Sequence, residues 1–464
     1  MTDLAKLSLT ESSALLQARR ASARELVDAC LAGIATAGPT INAFLAVDAV
    51  GARRAALESD GRRVRGTARG PLDGIPLAHK DIFERSGRRL TCGSAIFDTV
   101  PARTATVLAR LDAAGAIDLG PLHLAEFAAG ATGHNRHHGA CRNPWNRERI
   151  PGGSSSGSAA AVAARLIFGS LGTDTGGSLR LPAHFCGVAA LRPTPGRVSA
   201  AGVFPRVWSM DAVGPMARSA ADLALIFAVL AEDGVARTRE APSSRSGLRI
   251  GIPDRFFFDR VEPAIGDLIE TARKAFARFG AESVPVEIPD PAPLFSHALD
   301  LAQAEAAAIH RRWIAERRAD YDHGTVDGIE PGFAAAAHAY AESLAARAPA
   351  RRAWLDGVFA RCDLLLTPVF EHPTPRLDDC DPARPGAMRE FLERFGRCTR
   401  PFSYLGLPAL ALPCGFQPDG MPAALQLIAR PGAEAVLLAA GEAYQRETDW
   451  HGRAPPPARA VTAK

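Results

Sequence analysis

Two short clusters, Gly152-Gly153-Ser154-Ser155-Ser156-Gly157 and Gly176-Gly177-Ser178, flank an Ala/Val/Leu/Ile run with a helical look within residues 151–180. Glycine is entropically costly to order, so such clusters beside an apolar run point to backbone brought close to something. Two readings stay open here: a pair of flexible surface turns, or a serine nucleophile ringed by backbone N–H donors. A hydroxyl is a weak nucleophile until a base takes its proton, and no His/Asp pair stands out as that base. A lysine can serve if burial keeps it neutral, which arginine cannot do. The chain has four lysines (6, 80, 274 and 464) against fifty arginines. Lys80 stands just beyond a short apolar strand, Ile75 to Ala78, in a chain that elsewhere uses arginine for positive charge. It is the candidate base; the plainer alternative is an ordinary charge paired with Asp81.

Gly153-Ser154-Ser155-Ser156-Gly157 also fits G-x-S-x-G, the nucleophile elbow of α/β-hydrolases, which needs a strand immediately before it. Residues 143–151 carry two prolines and a charged run, which a central strand does not tolerate. The elbow reading fails on that context.

The elements that must position these groups read as alternating helices and strands. Ser8-x-x-Glu11 and Ser22-x-x-Glu25 are capping boxes opening helices, the second with Leu26, Val27, Cys30, Leu31 and Ile34 on one face. A charged helix spans roughly 47–64, and 104–120 reads as helix then strand, with Gly115 ending the helix. After a loop-rich 191–204, a helix is expected near 219–233 and a linker or surface excursion over 234–247. Strand 248–253, helix 262–279 and strand 282–288 form a β-α-β unit, which implies α/β architecture. Residues 296–360 read as Ala- and Arg-rich helices, followed by strands at 363–368, 408–415 and 422–429 and a helix at 433–447. The Pro/Arg tail from 452 is expected to be disordered.

Bulk properties narrow the function. With 464 residues, 47% hydrophobic and 22% charged, the chain has the composition of a globular protein. A net charge of +4 with arginines scattered among acids argues against nucleic-acid binding. The N-terminal MTDLAKLSLTESS has no long apolar core and is not expected to be a secretory signal, and no apolar run reaches the ~18 residues a membrane span requires. Eight dispersed cysteines without a C-x-x-C pair read as reduced, mostly buried thiols of a cytoplasmic protein. His134-x-x-His137-His138 has no carboxylate or thiol at ligand spacing, so no metal site is read there.

These residues resemble the amidase signature family across nearly the whole chain. The resemblance is carried by residues 70–81 (GPLDGIPLAHKD), 114–128, Asn135 with 143–146, 151–164 (PGGSSSGSAAAVAA), 172–199, 363–369 and 399–429. It implies an amidase signature fold, α/β with a central mixed β-sheet sandwiched between α-helices. It also implies a single domain over 1–464, with the signature core at about 70–200 and a variable helical substrate-pocket region at about 296–360. A Ser–cis-Ser–Lys triad follows from the resemblance: Ser178 the nucleophile, Ser154 the bridging serine behind a cis Gly153–Ser154 peptide, and Lys80 the terminal base. The 24-residue separation of Ser154 and Ser178 agrees with the family's spacing. The backbone N–H groups of Thr175, Gly176, Gly177 and Ser178 would hold the oxyanion, and a Cβ at 176 or 177 would obstruct that approach. Ser155, Asp174 and Arg180 would orient the triad.

The implied activity is hydrolysis of small or medium amides through an acyl-serine, with esters and carbamates (urethanes) as side substrates. No cofactor, metal, nucleic acid or membrane partner is implied, and the chain would act as a monomer or homodimer. The alternatives are the glutaminase component of a tRNA-dependent amidotransferase and an inactive docking protein of the same fold. Leu181 stands where that glutaminase, by the same resemblance, more often has Gln, and all three triad residues are present. Departures from the family pattern are Ser156 for glycine, Arg192 for lysine, and Ser403-Tyr404 for Asn-Leu; the last is expected to alter the pocket wall.

Overall fold

The structure, a computed structural model, describes residues 4–232, 247–384 and 386–456. Its centre is a ten-stranded mixed sheet. In chain order the strands are β1 (Pro76–Lys80), β2 (Ile117–Leu122), β3 (Gly169–Asp174), β4 (Ala189–Arg192), β5 (Ala212–Ala217), β6 (Arg249–Pro253), β7 (Glu282–Val286), β8 (Leu364–Pro368), β9 (Ala409–Phe416) and β10 (Pro422–Ile428). Their order across the sheet is β2-β1-β3-β5-β4-β9-β10-β8-β6-β7. The two flanks, β2-β1-β3 and β8-β6-β7, pair in parallel, and the strands between them pair antiparallel. Every residue of β1, β3, β4, β5, β8 and β10 is buried. Both faces are therefore covered, as near-continuous apolar strands require. The β7 edge is more open and carries Pro285, a residue suited to an edge because it offers no ladder N–H.

Both capping boxes form, opening helices Leu9–Gln17 and Ala23–Ile41. The β-α-β reading holds as β6, helix Pro263–Arg278 and β7, with β6 and β7 adjacent and parallel. The apolar run between the two Gly/Ser clusters is not one helix. It divides into helix Ser156–Ala163 and strand β3, because strand-compatible Gly169–Asp174 is claimed by ladders on both sides. The 296–360 region is helical over Ala292–Arg317, His323–Ile329 and Ala337–Arg361. The expected linker at 234–247 and the expected disordered tail lie mostly outside the described residues. All eight cysteines are buried and unpaired. Among the described residues, no helix is long and apolar enough to cross a membrane.

The helix behind the first cluster is seated by Gly157. Its N–H donates to the His123 carbonyl at 2.9 Å, and a Cβ there would lie 2.3 Å from Ala43 O and 2.5 Å from His123 N. Those are backbone atoms and cannot rotate away. Gly157→Ala is therefore expected to destabilise the fold by ~1–3 kcal/mol, the usual range for overpacking, read as a lower denaturant midpoint at unchanged m-value.

Candidate active site

Parallel pairing of β1 with β3 sets the geometry. The register Leu77↔Gly169, Ala78↔Ser170 and His79↔Leu171 carries Lys80, at the end of β1, alongside the end of β3. There Lys80 is fully buried and donates to Ser154 Oγ at 2.7 Å and to Thr173 Oγ1 at 3.0 Å. Asp81 is not its partner; that carboxylate accepts from the Thr91 N–H and hydroxyl. Burial pushes the Lys80 ammonium down to about 7, against the opposing attraction of Asp211 and Asp174. A hydroxyl environment solvates an ammonium less well than a carboxylate would, so the neutral amine becomes accessible near neutral pH.

Ser154 follows a cis peptide bond, Gly153–Ser154, and is itself fully buried. The Ala125 N–H donates to its carbonyl at 3.2 Å. A Cβ at Gly153 would lie 2.7 Å from the Gly130 carbonyl oxygen, so glycine is required for this approach. Ser155 precedes helix Ser156–Ala163 and donates to the Thr173 carbonyl at 3.3 Å, fastening the first cluster to β3. Ser156 Oγ is buried without a hydrogen-bond partner.

The second cluster leaves the end of β3. Asp174 Oδ1 accepts from the Gly177 N–H at 2.8 Å and Oδ2 from the Leu179 N–H at 3.2 Å. Arg180 clamps the same carboxylate through Nε and Nη2, each at 3.0 Å, and reaches the Thr399 carbonyl, Gln426 Oε1 and Ser403 Oγ. Arg192 Nε stands 3.4 Å from Asp174 Oδ1. Burial alone would raise the Asp174 pKa, but Arg180 and Arg192 overcome it and hold the carboxyl at about 2.

The loop so anchored places Ser178, half-buried, on the wall of a cavity lined also by Gly153, Thr175, Gly176 and Gly177. Among the described residues, no hydrogen bond links Ser154 to Ser178; the bond that Ser154 Oγ makes is with Lys80. The Gly177 N–H, expected among the oxyanion donors with those of Thr175, Gly176 and Ser178, donates to Asp174 in this structure. The two loop glycines also answer to protein neighbours rather than to open substrate space. Gly177, at φ +138°, would bring a Cβ to 2.5 Å from Thr399 Oγ1, and one on Gly176 would meet Arg400 Nε at 3.3 Å.

The far wall of the cavity comes mainly from helix Ala387–Gly396, through Met388, Phe391, Leu392 and Phe395. From the 296–360 region, Ala302 alone lines it. Ser403 and Tyr404 do not. Ser403 receives the Arg180 hydrogen bond, and Tyr404 donates to the Ser343 carbonyl at 2.6 Å in a second apolar core. Those departures therefore sit behind the site, where packing rather than substrate contacts them.

Residue spacing gives no sign of Thr173 as the second acceptor of Lys80, or of Asp211. Asp211 accepts from the Thr175 hydroxyl at 2.5 Å and from the Arg206 and Val207 N–H groups. The one available signal is that Thr173 lies inside the GTDTGGS segment. His137 Nε2 lies 2.9 Å from Glu126, and His134 Nδ1 lies 2.9 Å from the Thr132 hydroxyl.

Comparison with known proteins identifies the family and the fold. The family model described as Amidase matches residues 25–438. The chain is 40% identical, over 99% of its length and 100% of the relative's, to the A subunit of the glutamyl-tRNA(Gln) amidotransferase of Chloroflexus aggregans. A solved structure described as an amidase superimposes with a TM-score of 0.86 at 32% identity, covering 95% of this chain and 99% of the other. The native peptide amidase from Stenotrophomonas maltophilia gives 0.81 at 28% identity, covering 98% and 99%. Leu181 alone therefore does not separate this chain from the amidotransferase relatives, contrary to the expectation from sequence.

With four lysines in the chain, the Lys80 environment is measurable directly. One of the 13Cε-lysine resonances is expected to titrate near pH 7 and to vanish in Lys80→Met. Because the folded pKa lies below the ordinary value of 10.5, the unfolded chain binds this proton and the folded one does not between pH ~7 and ~10.5. This group's contribution to stability therefore rises with pH across that window and is flat below it.

Proposed function

The chain belongs to the amidase family, and from that premise we propose that it hydrolyses the C–N bond of small amides through an acyl-serine on Ser178. The observation that carries this reading is the buried Lys80–Ser154 hydrogen bond at 2.7 Å beside a cavity that Ser178 lines. Neutral Lys80 takes the Ser154 proton as Ser154 takes that of Ser178, and Ser178 Oγ adds to the carbonyl carbon. The Thr175, Gly176 and Ser178 N–H groups receive the developing oxyanion; one such donor is worth ~2.7–4 kcal/mol. Collapse of the tetrahedral adduct breaks the C–N bond, and the relay returns the proton to the leaving amine. Water then enters by the same relay and releases the carboxylic acid. Esters and carbamates fit the same acyl route.

The cavity holds about 90 Å³, well under the ~300–1,000 Å³ of drug-sized ligand sites, which favours small substrates. A second reading, the glutaminase component of a tRNA-dependent amidotransferase, is favoured by the 40% identity to the Chloroflexus aggregans relative over the full length of both chains. Against it, no Asp or Glu among the described residues lines the cavity to receive the α-ammonium of glutamine.

Ser178→Ala is expected to abolish turnover, and Lys80→Arg to lower kcat by ~10²–10⁴, the range of a lost general base, as severely as Lys80→Ala. In the parent protein kcat/KM should rise through pH ~7 and level off above it as Lys80 loses its proton. A wild-type rate in Lys80→Arg would remove the base from the reading. Ammonia release from glutamine that requires a co-purifying partner would select the second reading over the first.

A further inference from the structure

Two arginines stand in the wall of the Ser178 cavity without a counter-ion. Arg400 is 8% exposed and packs over the Phe295 ring at 4.9 Å, and its Nη1 is buried with no hydrogen-bond partner. A methyl group on Gly176 would lie 3.3 Å from its Nε, so the guanidinium rests against the loop that carries Ser178. Arg206 lines the same cavity, and its Nη1 is likewise buried and unpartnered. Among the described residues, neither side chain makes an ion pair within 4.0 Å.

The two charges also work against each other. Burial, and after it the charge of Arg206, pushes Arg400 down to about 10. Burial does the same to Arg206, opposed by Asp211. Asp211 is already committed to the Thr175 hydroxyl and to the Arg206 and Val207 N–H groups. The remaining side chains around the cavity are largely apolar, among them Leu181, Met210, Phe391 and Phe395. Burying an unpaired cation is costly; Arg400 is buried, and Arg206 beside it is part-buried with its Nη1 buried. A guanidinium offers a planar fork of donors that matches a carboxylate with two parallel bonds.

We propose that Arg400 and Arg206 form a carboxylate-binding subsite, and that the substrates are small amides carrying a carboxylate. This rests on the Ser178 reading, because that reading decides which cavity receives the substrate. The carboxylate lies between the two guanidiniums, cancels one of their two positive charges and relieves their mutual repulsion, and places the amide carbonyl at Ser178. A neutral amide of the same size leaves the two cations facing each other.

The test is binding without turnover, by titration calorimetry on the Ser178→Ala protein. The probes are succinamate and glutaramate, which carry a carboxylate, and butanamide, which does not. At least one half-amide should bind tenfold or more tighter than butanamide. Arg400→Met in that background should weaken the half-amide by thirtyfold or more and leave butanamide unchanged, with Arg400→Lys intermediate. Arg206→Met should act in the same direction, and it carries the test if Arg400→Met does not fold by circular dichroism.

Equal binding of half-amide and butanamide would overturn the subsite, as would a folded arginine variant that binds the half-amide as well as its parent. Because no turnover is needed, this outcome is separable from a failure of Ser178 as nucleophile. L-Glutamine, which is glutaramate with an added α-ammonium, should bind more weakly than glutaramate and lose affinity with the same arginine substitutions. A glutamine affinity untouched by either arginine would count against the subsite.

Discussion

The burial of Lys80 is the constraint on which the rest of the site depends. A fully buried ammonium with two hydroxyl partners is poorly solvated, and its proton becomes easy to lose. Exposing the side chain, or moving a carboxylate into contact with it, would restore an ordinary ammonium and remove the base that the proposed mechanism needs. The fold avoids both. The parallel β1–β3 pairing seals Lys80 between two buried strands, and Asp81, the acid next to it in sequence, is turned to Thr91. Asp174 and Asp211 remain close enough to temper the shift without making an ion pair with the amine.

The loop that carries Ser178, the proposed nucleophile, is held by a different device. Asp174 and Arg180 form a buried bidentate pair, which Arg180 extends to Thr399, Ser403 and Gln426 in the C-terminal third of the chain. A buried pair of this kind contributes little net stability beyond what apolar packing would give. It does fix direction: the Gly177 and Leu179 N–H groups are drawn onto Asp174, and the loop between them must present Ser178 to the cavity. The Thr399 hydroxyl donating to the Gly176 carbonyl at 2.5 Å ties the same loop to the same distant segment. The site is therefore a joint between the signature core and the β9–β10 region.

Much of this is legible in the sequence where local chemistry decides the outcome. The capping boxes announce the first helices, and the β6–helix–β7 unit follows from its periodicity. Lys80 stands out because an arginine-rich chain keeps a lysine at the end of an apolar strand. What stays hidden depends on contacts between distant segments. Thr173 and Asp211 matter only because β1, β3 and the turn before β5 converge. The use of the Gly177 N–H by Asp174 is set by loop conformation, which glycine content does not specify. Arg206 and Arg400 are two among fifty arginines, and that their Nη1 atoms are buried without partners among the described residues appears only once both are placed on one cavity wall. Ser403 and Tyr404 show the opposite failure, because lying next to a signature segment in the chain does not put a side chain next to substrate.

The central claim is that Ser178, activated through Ser154 by neutral Lys80, carries the acyl group. It is tested most directly by acid-quenching the protein during turnover of an activated amide or ester and locating the acyl mass by peptide mass spectrometry. The account predicts a stoichiometric acyl adduct on Ser178, absent in Lys80→Arg at the same quench time. An adduct on Ser154 or Ser155, or undiminished acylation of Ser178 in Lys80→Arg, would contradict it.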